Sequence, residues 1–252
     1  MQEIISQEVT EDFAGLWRAA GNHLNARGQG SLNWIKADLV PPMLEHLSFR
    51  IGNQIFFVRV EDVGREVDGP SGRSGLMSIA KGCGGHACLM PMKREDNVWV
   101  PATSSWGLID AATGDHFDPL AFVSDKKIEM TDWEVHDVAV TSVVQQLERQ
   151  DEFRLLSSQG NPGVDPSFWF AGKEGPEWVV VRAVRYPERD APRPSNLDLV
   201  IERNASVSKA GHFASVSVAN SDDPFDPAGQ NVLPIWRGYR MFVRFEGLEQ
   251  VT

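Results

Sequence analysis

Cysteine is nearly absent: Cys83 and Cys88, five positions apart, are the only two. That count rules out a disulfide scaffold and makes a reducing compartment the simplest setting. No apolar run approaches the ~20 residues that cross a bilayer. The opening MQEIISQEVTEDF has neither a basic stretch nor an apolar core, so it does not read as a secretory signal. These absences predict a cytoplasmic protein with no membrane partner. A basic excess is missing too. The formal net charge is -11, with 10 Lys and Arg against 15 Asp and Glu up to Leu120, and 14 against 20 thereafter. Nonspecific nucleic-acid binding needs clustered cations to neutralise phosphates, and neither half has the surplus, although a local basic groove is compatible with these totals. The signatures of several enzyme classes are also lacking: no GxxxxGK loop, no GxGxxG after a strand, no GxSxG elbow. No motif calls for a cofactor.

What is present is enough apolar mass to fold. At 252 residues, 42% hydrophobic and 23% charged, the chain has the composition of an ordinary globular protein of one large or two small domains. Eight Trp and thirteen Phe can fill a core in either half. Phe13, Leu16, Trp17, Ala20 and Leu24 make one apolar stripe and predict a helix from Thr10 to about Ala26. SLNWIKADL reads as a short second helix stopped by Pro41-Pro42. Leu47–Ile51 and Ile55–Val60 read as strands about a Gly52-Asn53 turn. A helix over Ser74–Lys81, a strand over His86–Met90, and an edge strand with turn over Trp106–Gly114 follow. After a boundary near residue 120, Thr131 and Glu134 form a capping box that opens the clearest helix, with Trp133, Val140, Val144 and Leu147 on its apolar side. Its polar side would carry Glu134, Asp137, Thr141, Gln145 and Glu148. Strands are expected over Phe153–Ser157, Ser167–Phe170, Trp178–Val184, His212–Val218 and Tyr239–Phe245, with a weaker helix around Leu197, Val200 and Ile201. Trp178–Val184 is almost continuously apolar, as a strand buried on both faces would be.

The chain repeats itself at long range. Thr10 matches Thr131, Ser48-Phe49 matches Ser167-Phe168, FFVR at Phe56 matches VVVR at Val179, and Gly85-His86 matches Gly211-His212. Trp106-Gly107 also resembles Trp236 followed by Gly238. The first four offsets run 121, 119, 123 and 126, a drift that loop insertions produce. The expected architecture is α+β (α/β-like): a tandem duplication of two αβββαβ modules, residues 1–120 and 121–252. Each module is a central mixed sheet flanked by helices. The third strand feeds a crossover helix and a parallel fourth strand. The halves would pair as a pseudo-dimer within one chain.

That element order resembles the core of the restriction-endonuclease-like fold, the PD-(D/E)xK superfamily. The resemblance spans most of each half and implies an acid before the second strand, Glu/Asp-x-Lys on the third, and an acid on the first helix, together holding a divalent cation. In the second half Asp165 and Glu134 would take the first and last of these places, but the third strand carries Arg182-Ala183-Val184-Arg185. In the first half Glu45 is the early acid and the third strand reads Arg59-Val60-Glu61. Both halves depart from the pattern where the chemistry lies, and a strand without its acids cannot assemble the oxygen ligands of Mg2+. A similar order resembles the type III secretion chaperone-like fold, which binds peptide segments.

Four side chains therefore mark a candidate binding site: Glu134, Asp165, Arg182 and Arg185. A buried guanidinium must be paired, so one of the arginines is expected to meet a carboxylate such as Glu134 or Asp165 where an active relative would hold metal. Cys83, His86 and Cys88 include good zinc ligands but fall short of the four that a structural site needs. If His86 and His212 open equivalent strands, a structural hydrogen bond accounts for both. Glu134, His136 and Asp137 have the makings of an acid/base cluster, but the cap already explains Glu134. GPSGRSG, Gly69–Gly75, sets Arg73 before a helix and either cradles an anion or simply connects. The function expected is a non-catalytic binding or regulatory protein with a protein or small-ligand partner. The alternatives are a divalent-metal-dependent nuclease or phosphoesterase and a peptide-binding chaperone.

Overall fold

The computed structural model describes residues 10–37, 46–67, 72–149, 153–226, 228 and 231–252. The expectations resting on Pro41-Pro42, Glu45 and the first residues of GPSGRSG lie outside them. Contacts divide the chain into two compact units that meet at Lys126 and Lys127. Each is α+β, with a mixed sheet and two of the four α-helices found among the described residues. None of those helices is long and apolar enough to cross a membrane.

In the first unit, α1 (Glu11–Gly28) starts at Thr10, whose hydroxyl accepts the Phe13 N–H, and ends where Gln29 turns left-handed at φ 46°. All five residues of the predicted stripe are buried. They pack on Phe49, Phe56, Val58, Val60, Met90 and Met92 of the sheet. The sheet runs β1 (Leu32–Lys36), β2 (Leu47–Ile51), β3 (Gln54–Asp62), β4 (His86–Glu95), β6 (Leu108–Asp110) and β7 (His116–Phe117), with β5 (Val98–Pro101) also on β4. The first three strands are antiparallel, and α2 (Arg73–Gly82) crosses from β3 to a parallel β4. SLNWIKADL is thus not a helix over its first residues but strand β1. Pairing with β2 and the edge contact of Trp34 on Phe49, ring centres 5.8 Å apart, override its local period.

The second unit repeats the plan. α3 (Asp132–Leu147) opens at Thr131 with the capping box in place. Strands β8 (Arg154–Ser158), β9 (Phe168–Ala171) and β10 (Pro176–Arg185) are antiparallel. α4 (Leu197–Asn204) then crosses to β11 (Gly211–Asn220), parallel to β10. β12 (Met241–Phe245) pairs with the carboxyl end of β11, and β13 (Glu249–Gln250) with its start. β5 and β6 divide β4 the same way. Trp178–Val181 is buried on both faces, as its continuous apolarity requires. Val179 and Val181 join the α3 core, while Trp178 and Val180 join Leu197 and Val200 of α4.

The registers make the repeat quantitative. Phe49 pairs with Phe56 and Phe56 with His86. Phe168 pairs with Val179 and Val179 with His212. Three of the sequence echoes therefore fall on one set of equivalent positions, and Thr10 and Thr131 are both helix caps. The tryptophan echo does not: Trp106 lies between the two antiparallel partners of β4, whereas Trp236 precedes both partners of β11.

Candidate functional site

The carboxyl end of the third strand borders a cavity in each unit. In the first, Arg59, Val60, Glu61 and Asp62 line about 480 Å³ together with Arg65, Val67 and Arg73. In the second, Arg182, Ala183, Val184 and Arg185 line about 400 Å³ with Asp132, His136, Pro162 and Glu188. By the observed register these are the same four strand positions, with Arg59 standing where Arg182 stands. Strand alternation puts both arginines on the crossover-helix side: Arg59 follows Phe57, and Arg182 follows Trp178 and Val180.

Two of the four predicted site residues, Arg182 and Arg185, line the second cavity, and Arg182 holds a third, Asp165. Arg182 donates to both oxygens of Asp165, at 2.9 and 2.6 Å, and also to the Val181 carbonyl. The Asp165 side chain is 6% exposed, so this planar two-point contact is what makes the buried carboxylate tolerable. Arg185 reaches the cavity from the other face and ties down the start of α3, donating to the Met130 carbonyl at 2.7 Å and to Asp132 at 2.9 Å. The fourth residue, Glu134, is elsewhere. Expected on the polar side of α3, it is buried instead, and Arg237 donates to its two oxygens from Nε at 2.7 Å and Nη2 at 2.8 Å. The same carboxylate accepts the Thr131 N–H and hydroxyl. Arg237 arrives there because residues 128–130 run beside 235–237: Met130 N–H donates to Ile235 O and Arg237 N–H to Ile128 O. No local pattern signals a partner 103 positions away.

The first cavity is built on Glu61. It accepts from Arg59 at 3.1 Å and from Arg73 at 3.1 and 2.9 Å. Burial pushes its pKa up, but the Arg73 and Arg59 guanidiniums more than offset that and hold it below the ordinary glutamate value. The pairing therefore stabilises the fold above about pH 4.3, the unfolded glutamate value, and is lost as pH falls through the lower folded value. Urea midpoints measured from about pH 6 down to about pH 3 should fall less steeply for Glu61→Gln than for the parent. An unchanged slope would show that the pair contributes nothing. Asp62 faces the loop: its oxygens accept the N–H groups of Gly64, Glu66 and Val67, which fixes the turn that carries Arg65 at φ 57°.

The two strand-opening histidines and the two cysteines lie away from both cavities. His86 meets Gln54 at 3.1 Å and His212 meets Glu177 at 2.6 Å, both across the parallel pair from equivalent positions. Cys83 and Cys88 are buried and not joined in a disulfide. Burial, and then Asp110, push the Cys88 thiol far above its ordinary pKa, so it stays protonated and is no nucleophile. Among the described residues, no three His, Cys, Asp or Glu side chains gather as metal ligands.

The sequence model of a domain of unknown function (DUF8840) matches residues 133–251, from the first turn of α3 to just past β13. Over that stretch the second unit is similar to this domain. No curated protein and no solved structure matches the chain.

Proposed function

We propose that the chain is a non-catalytic binding or regulatory protein of the cytoplasm, a tandem of two nuclease-like modules. The observation that carries this reading is the pairing of the acids. At the place where the restriction-endonuclease-like resemblance implies metal-binding carboxylates, Asp165 is spent on Arg182 and Glu61 on Arg59 and Arg73. Glu134, the helix acid of the same scheme, is spent on Arg237 and its own cap. A guanidinium fork occupies the oxygens that a divalent cation would need. A cavity of small-molecule size at the end of the third strand in each unit favours a small ligand over a partner protein.

The test is incubation of the full chain with Mn2+ or Mg2+ and single- and double-stranded DNA and RNA, alongside calorimetric titration of Mn2+. No cleavage and no saturable metal binding are expected, and Asp165→Ala should lower stability without removing any activity. Metal-dependent cleavage that vanishes in a folded Asp165→Ala protein would instead make this a nuclease with rearranged ligands.

A further inference from the structure

We infer that the cavity of the first unit binds a small phosphate-bearing molecule through Arg65 and Arg73, with Arg59 and Glu61 as their support. The inference rests on reading this cavity as a binding site rather than a metal centre. The local charge is the first reason. In a chain of formal net charge -11, this cavity is lined by three arginines against Glu61 and Asp62. Asp62 turns both oxygens to loop N–H groups. Glu61, held by two guanidiniums, offsets one of them and fixes both.

The donors left over are the second reason. A guanidinium carries five N–H donors. Arg73 gives Glu61 one from Nε and one from Nη2, which leaves its Nη1 edge for another acceptor while the fork is locked in place. Arg65 stands on the rigid turn made by Asp62 and lines the same cavity. α2 begins at Arg73 itself, and Gly72 before it offers no side chain to cap the first turn. Glu61 already supplies the planar carboxylate that one fork accepts. Donors converging from a loop and a helix start suit a tetrahedral oxyanion with several acceptor oxygens. The volume, about 480 Å³, is that of a small-molecule site. The cavity at the same strand end of the second unit opens on the α3 side instead and has no cationic excess, with two arginines against Asp132 and Glu188. Arg182 is held by Asp165 and Arg185 gives Nη2 to Met130 and Asp132, so the donor that Arg185 keeps, Nη1, faces a lining whose charges already balance.

Calorimetric titration of the full chain with inorganic phosphate and with pyrophosphate, in a phosphate-free buffer, tests this. One saturable site is expected, with pyrophosphate tighter than phosphate and acetate much weaker. Arg65→Ala should weaken pyrophosphate about tenfold or more, the loss of one charge-assisted contact. Arg73→Ala should do at least as much, and Arg203→Ala, on the exposed end of α4 in the other unit, should change nothing. Arg65 is exposed, so its variant keeps the fold, which circular dichroism checks. No saturable site, an equal affinity for acetate, or indifference to both arginine variants overturns the inference while leaving the non-catalytic reading intact. That reading falls separately, if metal-dependent cleavage appears.

Discussion

Arg237→Ala should lose about 3–5 kcal/mol of stability in the second unit, because it leaves Glu134 as an unpaired charge inside the protein. Arg237 is 3% exposed and the Glu134 side chain 6%, so water cannot take over the lost contacts. The carboxylate keeps only the Thr131 N–H and hydroxyl, which suffice for a helix cap but not for a buried anion. Most of the loss belongs to the orphaned charge rather than to the attraction between the partners. The double variant Glu134→Gln with Arg237→Met should therefore recover much of it: Gln still closes the capping box, and Met fills the guanidinium's space without a charge. Urea unfolding followed by fluorescence, with amide hydrogen exchange locating the change to α3 and residues 235–237, measures both variants. A loss below about 1 kcal/mol in Arg237→Ala would mean the pair behaves like a solvated one. Glu134 would then again be a candidate metal ligand.

Glu134 also shows where the sequence is readable and where it is not. The cap was legible because Thr131 and Glu134 are three positions apart and the motif is local. Its burial was not, because the cause is Arg237, 103 residues on and brought in by a short antiparallel contact with no period of its own. The same division runs through the fold. The α1 stripe and the doubly buried β10 follow from local periodicity. β1 reads as a helix from its own spacing, but its partner β2 decides its conformation. The short strands β5, β7 and β13 carry too few residues for any period to show. At the site, the need to pair a buried guanidinium makes an arginine–carboxylate contact legible, but which arginine meets which acid is settled only by the fold, which brings Arg182 to Asp165. Arg65 had no signal, since its role depends on how Asp62 folds the turn around it.

Gly211→Ala should be the costliest small change in either sheet, and Trp178 is the reason. Gly211 lies opposite Trp178 in the parallel ladder, and the indole crosses over it. A Cβ there would stand 2.5 Å from both Cε2 and Cη2 of the ring, and closer still to Cζ2. The ring has nowhere to go: it is fully buried between β10, β11 and α4, and its N–H donates to the Ser208 carbonyl. Overpacking of this kind costs about 1–3 kcal/mol, at the upper end where the neighbour cannot move. Gly85 repeats the constraint in the first unit with different atoms, since its Cβ would meet the Ile55 carbonyl oxygen at 2.9 Å and the Phe57 ring at 3.0 Å. The Gly-His echo thus has a physical cause in both units. The chain returning from the crossover must pass close under the third strand, and the next residue turns its imidazole to Gln54 or Glu177. The decisive measurement is a double-mutant cycle with Trp178→Phe, which removes the atoms that collide. The double variant should cost less than the sum of the singles by about 1 kcal/mol or more. Additivity within about 0.3–0.5 kcal/mol would mean the indole is not what excludes a side chain at Gly211, and the shared glycine would then need a cause other than close approach.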